Sequence, residues 1–153
     1  GPEVTDNDLV ILQKFTYLSK LDLTETSITD MGLKHLKNLE YLRYLFLLGT
    51  GITDAGVTEL QGHSRLEQLC LDDTLVSDAG VKHLEPLSRL VMLHLATQGE
   101  ITDASVESLM KLKDLHELKI DGTKITEDGK AKLVKALPDI EFIGGPGGGL
   151  PID

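Results

Sequence analysis

The chain carries a single cysteine, little positive charge and no long apolar run. One thiol, Cys70, excludes an internal disulfide and leaves the redox compartment open. Apolar residues make up 41% of the sequence, but their longest stretches are a few residues, far short of the ~20 a membrane helix requires. A soluble protein with no membrane insertion is therefore expected. Lysine and arginine together number 15 against 25 aspartates and glutamates, for a net charge of −10. That balance argues against nucleic acid or an anionic membrane as partner, since both require a positive field. It would steer in a basic partner, although its plainest consequence is solubility. No charged segment followed by an apolar one opens the chain, so no secretory signal is visible. Gly1-Pro2 has the form left by a cleaved purification tag, and the chain reads as a piece of a longer protein.

What is present is a period. Its clearest form is Leu18-x-x-Leu21-x-Leu23-x-x-Thr26-x-Ile28-Thr29-Asp30-x-Gly32-Leu33-x-x-Leu36-x-x-Leu39. The opening leucine returns at Leu42, Leu66, Leu90 and Leu115, and Ile140 takes its place last, giving periods of 24, 24, 24, 25 and 25 residues. A fixed period in this range headed by L-x-x-L-x-L marks a leucine-rich-repeat solenoid. The expected architecture is α/β, a parallel concave sheet of five to six strands with helices on the convex face. Such a fold presents a long curved surface rather than a deep pocket, which makes binding the leading function.

Within each repeat the L-x-L portion predicts a short strand, leucines inward and alternate residues outward. The strands fall near 20–24, 44–48, 68–72, 92–96 and 117–121, with a closing strand at 140–143. Parallel strands need crossovers, and each is followed by a helix start at Thr29-Asp30, Thr53-Asp54, Ser77-Asp78, Thr102-Asp103 or Thr126-Glu127-Asp128. Each aspartate is expected to serve its own helix N-terminus, which leaves no reason to read the column as a cation site. Gly32, Gly56, Gly80 and Gly129 lie in the first helical turn, where a small residue permits close packing, with Ser105 once in their place. Thr26, Thr50, Thr74 and Thr123 are expected to bridge loop backbone groups between coils. The fourth repeat is one residue longer at Thr97-Gln98-Gly99-Glu100, which reads as a bulged turn at the glycine.

The domain organisation is then one repeat domain over 1–143, with a partial repeat at 4–17, full repeats from 18, 42, 66, 90 and 115, and a closing strand. Residues 144–153 form a Gly-rich flexible tail. That tail lacks the Lys-Ser/Thr of a phosphate-binding loop. Nothing polar and distinct caps the N-terminal side, so further repeats upstream are expected, along with weak self-association through the unpaired edge of the first strand.

With I-T-D-x-G-L/V in nearly every coil, the chain resembles the cysteine-containing, F-box-associated class of leucine-rich repeats. It resembles still more their 24-residue bacterial relatives, which carry threonine at the variable slot. The resemblance spans about residues 4–143 and implies a recognition module within a larger protein, acting in substrate selection, scaffolding or cell-envelope assembly. It implies a bacterial cytoplasm or envelope as location. No F-box segment is present.

Outward strand positions stack in three columns: Lys20, Tyr44, Gln68, Met92 and Glu117; Asp22, Phe46, Cys70, His94 and Lys119; Thr24, Leu48, Asp72, Ala96 and Asp121. Tyr44, Phe46 and Leu48 share one strand, and Cys70, Met92, His94 and Ala96 extend an apolar surface across the next two. An aromatic and methionine cluster rimmed by charge is the anatomy of an interface centre. The partner-binding site is accordingly placed at Tyr44, Phe46, Leu48, Cys70, Asp72, Met92 and His94. Its partner would be a protein or peptide, with a basic one favoured by the charge.

One constellation suggests chemistry: Cys70 beside His94, with Asp72 near, is the minimum for an activated nucleophile. No oxyanion donors or enclosing walls accompany it. The remaining histidines, His35, His63, His83 and His116, do not assemble four ligands at a zinc-like spacing. The sequence therefore points to a non-enzymatic recognition module without cofactor or metal. A scaffolding segment is the alternative, and a Cys-His enzyme a more distant one.

Overall fold

The structure, a computed structural model, describes residues 3–144. Each coil opens with a short strand: β1 (Lys20–Asp22), β2 (Tyr44–Phe46), β3 (Gln68–Cys70), β4 (Met92–His94) and β5 (Glu117–Lys119), each with its central leucine toward the interior, and the two-residue, exposed β6 (Glu141–Phe142). They pair in parallel in chain order, with Leu21, Leu45, Leu69, Leu93, Leu118 and Phe142 in register. The sequence-derived columns are thus the true ones, and the fold is the expected leucine-rich-repeat solenoid. Strands are shorter than the pattern suggested because each coil soon turns through a residue with positive φ: Glu25, Gly49, Asp73, Thr97 or Gly122. Backbone pairing continues up to that turn, as in Glu25 N–H to the Leu48 carbonyl at 2.8 Å.

Behind the sheet, α1 (Asp30–Leu33), α2 (Asp54–Thr58), α3 (Asp78–His83), α4 (Val106–Leu109) and α5 (Glu127–Ala136) alternate with it. A 3-10 helix, Asp6–Lys14, covers the N-terminal end. Between the two layers lies one continuous core of leucine, isoleucine and valine. Helices this short have little stability of their own, so packing of these apolar residues holds them.

The Thr-Asp pairs do more than start helices. Thr29, Thr53, Ser77 and Thr102 each cap their own helix, the hydroxyl accepting from the N–H two residues on. The aspartate instead reaches the next coil. Asp6, Asp30, Asp54, Asp78 and Asp103 accept both the N–H and the hydroxyl of Thr29, Thr53, Ser77, Thr102 and Thr126, at 2.6–2.9 Å. This corrects the expectation that each aspartate serves its own helix. The threonine has already taken the cap, and two donors on the neighbouring coil offer the carboxylate both of its oxygens charge-assisted bonds.

That ladder also explains the glycines. A Cβ on Gly32, Gly56, Gly80 or Gly129 would collide with the carboxylate of Asp6, Asp30, Asp54 or Asp103. Ser105, the one exception, turns the contact into a hydrogen bond from its hydroxyl to Asp78.

Thr26, Thr50, Thr74 and Thr123 donate to the carbonyls of Leu23, Leu47, Leu71 and Ile120 in their own coils rather than to a neighbouring coil as expected. The threonine side chain is too short to reach across. In the fourth coil Gln98 holds this slot, and its longer amide does cross, donating to the Leu71 carbonyl and to Thr74 Oγ1. The left-handed residue of that coil is Thr97 (φ 66°), not Gly99. His63, in the loop between α2 and β3, is buried, its Nε2 3.1 Å from the Leu36 carbonyl on the preceding coil. Of the Gly-rich tail, only Gly144 lies within the described residues.

Candidate functional site on the concave face

Outward side chains of β1 to β5 project from the sheet on the side away from the main core. Adjacent strands in a sheet lie ~4.8 Å apart, so side chains in one column press together. Phe46, Cys70 and Met92 form a second, small apolar cluster here, joined by Tyr44 and Leu48. The grouping is the one read from the sequence; its exposure is not. Phe46, Cys70, Met92, His94, Asp72 and Ala96 are all buried, and only Tyr44 and Leu48 keep part of their surface open. The alternation rule assigns a face and says nothing of how fully large neighbours cover one another. Around the cluster lie Lys20 and Asp22 on one flank and the half-buried Glu117 and Lys119 on the other. Asp73 and Asp121 stand exposed at the turn side. Two cations sit over its rings: the Lys20 ammonium 5.7 Å from the centre of Phe46, and the Arg43 guanidinium 5.2 Å from that of Tyr44.

Next to the apolar cluster is a polar one. Cys70 and His94 are paired in register on β3 and β4, and Asp72 follows β3 by two residues. One donor atom from each, a sulfur, a ring nitrogen and a carboxylate oxygen, all lie within 4.8 Å of one another. Asp72 Oδ1 accepts the Ala96 N–H at 2.6 Å, and Oδ2 accepts the Lys119 ammonium at 2.9 Å. His94 Nδ1 stands 3.7 Å from Oδ2, too far for a hydrogen bond. Neither ring nitrogen of His94 has a hydrogen-bond partner among the described residues. Burial pushes the Asp72 carboxyl up, but the neighbouring His94, Lys119 and the Ala96 N–H outweigh it and hold the group below its ordinary value.

Cys70 is placed differently from an activated nucleophile. Burial above all, opposed by a backbone hydrogen bond at Asp72 and reinforced by the Asp72 charge, pushes its thiol up to about 12. A thiol in such surroundings stays protonated at neutral pH. An outward strand position predicts a thiol that labels easily without being hyper-reactive; the structure instead buries it.

Sequence reasoning placed Cys70, Asp72 and His94 together but missed Lys119 as the fourth member. Its place in the same column as His94, one strand on, was the available signal.

All three arginines, Arg43, Arg65 and Arg89, line one shallow depression at the strand-entry edge with Ser64, Glu67 and Ser88. Arg43 there makes a two-pronged pair with Glu67 at 2.7 and 2.8 Å. No helix among the described residues is long and apolar enough to cross a membrane.

No family model matches the sequence, and no curated protein matches it. Among solved structures the fold is similar to an internalin (InlF) from Listeria monocytogenes, with a TM-score of 0.71 at 23% identity over 87% of this chain and 36% of that one. It is also similar to a leucine-rich-repeat protein of Leptospira interrogans, with a TM-score of 0.61 at 21% identity over 88% of this chain and 39% of that one. The chain thus spans under two fifths of either neighbour.

Proposed function

We propose that the chain is a non-enzymatic recognition module that binds a protein or peptide through the concave face, within a larger protein. The observation that carries this reading is the half-open pair Tyr44 and Leu48, resting on the buried Phe46, Cys70 and Met92. Rigid, well-supported aromatic and aliphatic side chains make good interface anchors because little freedom is lost when a partner covers them. Asp22, Asp73 and Asp121 around the anchor favour a basic partner and would act mainly on association rate. Asp72 and His94 are buried beside this cluster. The unreactive state of the Cys70 thiol supports a binding role over nucleophilic chemistry.

The test is selection of peptides from a random display library on the immobilised protein, followed by affinity measurement. Recovered sequences should be rich in lysine or arginine around an apolar residue. Tyr44→Ala should weaken them by about 2 kcal/mol, whereas Lys34→Ala on the convex side should leave affinity unchanged. Binders that survive both Tyr44→Ala and Leu48→Asp would move the site away from this face.

A further inference from the structure

We propose that Cys70, Asp72 and His94 form a binding site for a divalent transition metal of the zinc type, with the Cys70 sulfur, a His94 ring nitrogen and an Asp72 oxygen as donors. The three donor atoms already lie within 4.8 Å of one another. In a tetrahedral zinc site with bonds of about 2.0–2.3 Å the donors are separated by roughly 3.3–3.8 Å. Closing the trio onto an ion thus needs a contraction of about an ångström, within reach of small side-chain rotations. The donors are a thiolate, an imidazole and a carboxylate, a set that suits zinc and not magnesium or calcium.

A second, independent observation comes from His94. Its side chain is 2% exposed, and neither ring nitrogen has a hydrogen-bond partner among the described residues. A buried imidazole left with both nitrogens unsatisfied carries a desolvation cost that a structure normally offsets. A metal bound at one nitrogen removes that cost. The sequence expectation of no metal set rested on the need for four converging protein ligands. Three suffice where the fourth position is taken by water or by a group from a bound partner.

Lys119 is the competing cation. Its ammonium bonds Asp72 Oδ2, and its side chain is 20% exposed, so it can swing into solvent as the metal arrives. Metal uptake forms the metal–sulfur, metal–nitrogen and metal–oxygen bonds while the Cys70 thiol proton leaves to water. The apo protein is thus a lysine-neutralised form of the same acidic position.

Cys70 is the chain's only cysteine, so a cobalt–thiolate charge-transfer band can report this site and no other. The experiment titrates the folded chain with Co²⁺ alone and follows that band. Zn²⁺ is then used to displace the cobalt, and thermal unfolding is recorded with and without Zn²⁺. The expected result is a saturable band at one equivalent, bleached by Zn²⁺, with a higher melting temperature in Zn²⁺. Lys119→Met should tighten binding severalfold by removing the competitor. His94→Asn and Asp72→Asn should each weaken it roughly tenfold or more, on the scale of lost metal-site contacts. No band at saturating Co²⁺ in the folded wild-type chain would overturn the site. So would a band whose affinity ignores both His94→Asn and Asp72→Asn, because the thiol would then be taking up metal adventitiously. The wild-type titration decides the matter even where a variant fails to fold. Its failure would leave the proposed recognition role untouched, since peptide selection involves no metal.

Discussion

Asp8 accepts both the backbone N–H and the hydroxyl of Thr5 at 2.8 Å, so the first coil satisfies within itself what every later coil receives from its neighbour. Asp8 occupies the slot held by Gly32, Gly56 and Gly80 in the coils that follow. At the other end Glu127 stands in the aspartate slot and turns aside to pair with Lys130 at 2.8 Å. Among the described residues Thr5 and Glu127 are thus each bonded within their own coil. The N-terminal side, read from the sequence as lacking a polar cap, has the Asp8 carboxylate bonded to Thr5.

Replacing Asp8 by glycine should loosen that end selectively. Amide exchange over residues 5–14 should accelerate while the coils from β2 onward keep their protection, and the melting temperature should fall slightly. Uniform acceleration across the chain would show that the first coil is not an independent cap.

Gly56→Ala should destabilise the protein by about 1–3 kcal/mol, the usual range for forcing atoms into a packed site. The new methyl would strike the Asp30 carboxylate and the Ile52 side chain. Because φ at Gly56 is not positive, the whole effect should be steric. A double-mutant cycle with Asp30→Ala, read by urea unfolding, should recover part of the loss. Strict additivity of the two changes would mean the glycine is required for some other reason.

Phe46→Ala should cost about 3 kcal/mol, as for buried phenylalanines elsewhere. The sequence pattern suggested an exposed ring whose loss would leave stability nearly unchanged, but the ring is 3% exposed and packed against Cys70 and Met92. Tyr44→Ala, with part of its surface already open, should cost clearly less by the same chemical-denaturation measurement. The reverse order would place Phe46 outside the cluster.

Alkylation of Cys70 should be slow in the native protein and fast in the unfolded one. A thiol held near 12, against an ordinary 9.0, has a thiolate fraction lower by about a thousandfold at neutral pH, and burial slows reagent access further. Iodoacetamide labelling with and without urea at pH 8 checks this. Rapid native labelling would reopen the nucleophile reading.

Acid should unfasten the ladder from its carboxylates. Hydrogen bonds from the Thr126 hydroxyl and N–H hold Asp103 below its ordinary 3.8, and those from the Thr5 N–H and hydroxyl do the same for Asp8. A depressed folded pKa means the contribution is complete above 3.8 and disappears as pH falls through the lower folded value. Melting temperature should therefore be level through neutrality and drop below about pH 4. Asp103→Asn should shrink that drop, and an unchanged acid profile would remove Asp103 from the ladder.

The sequence alone determined the coil. Leucines at fixed spacing can be buried together only if strand and helix alternate once per period, and stacking of equal coils then sets the register, so the period itself aligns Tyr44, Gln68 and Met92. It also placed Cys70, Asp72 and His94 side by side, because equivalent positions on adjacent strands are neighbours by construction. What one period cannot express is a contact between periods. Asp30 reads as a helix cap until Thr53 is seen to offer it two donors, and Gly56 reads as merely small until Asp30 is seen to fill the space beside it. Burial of the outward face was likewise decided in three dimensions. An alternating pattern tells which way Phe46 points, but only the bulk of Tyr44, Cys70 and Met92 packed around it determines that water does not reach the ring.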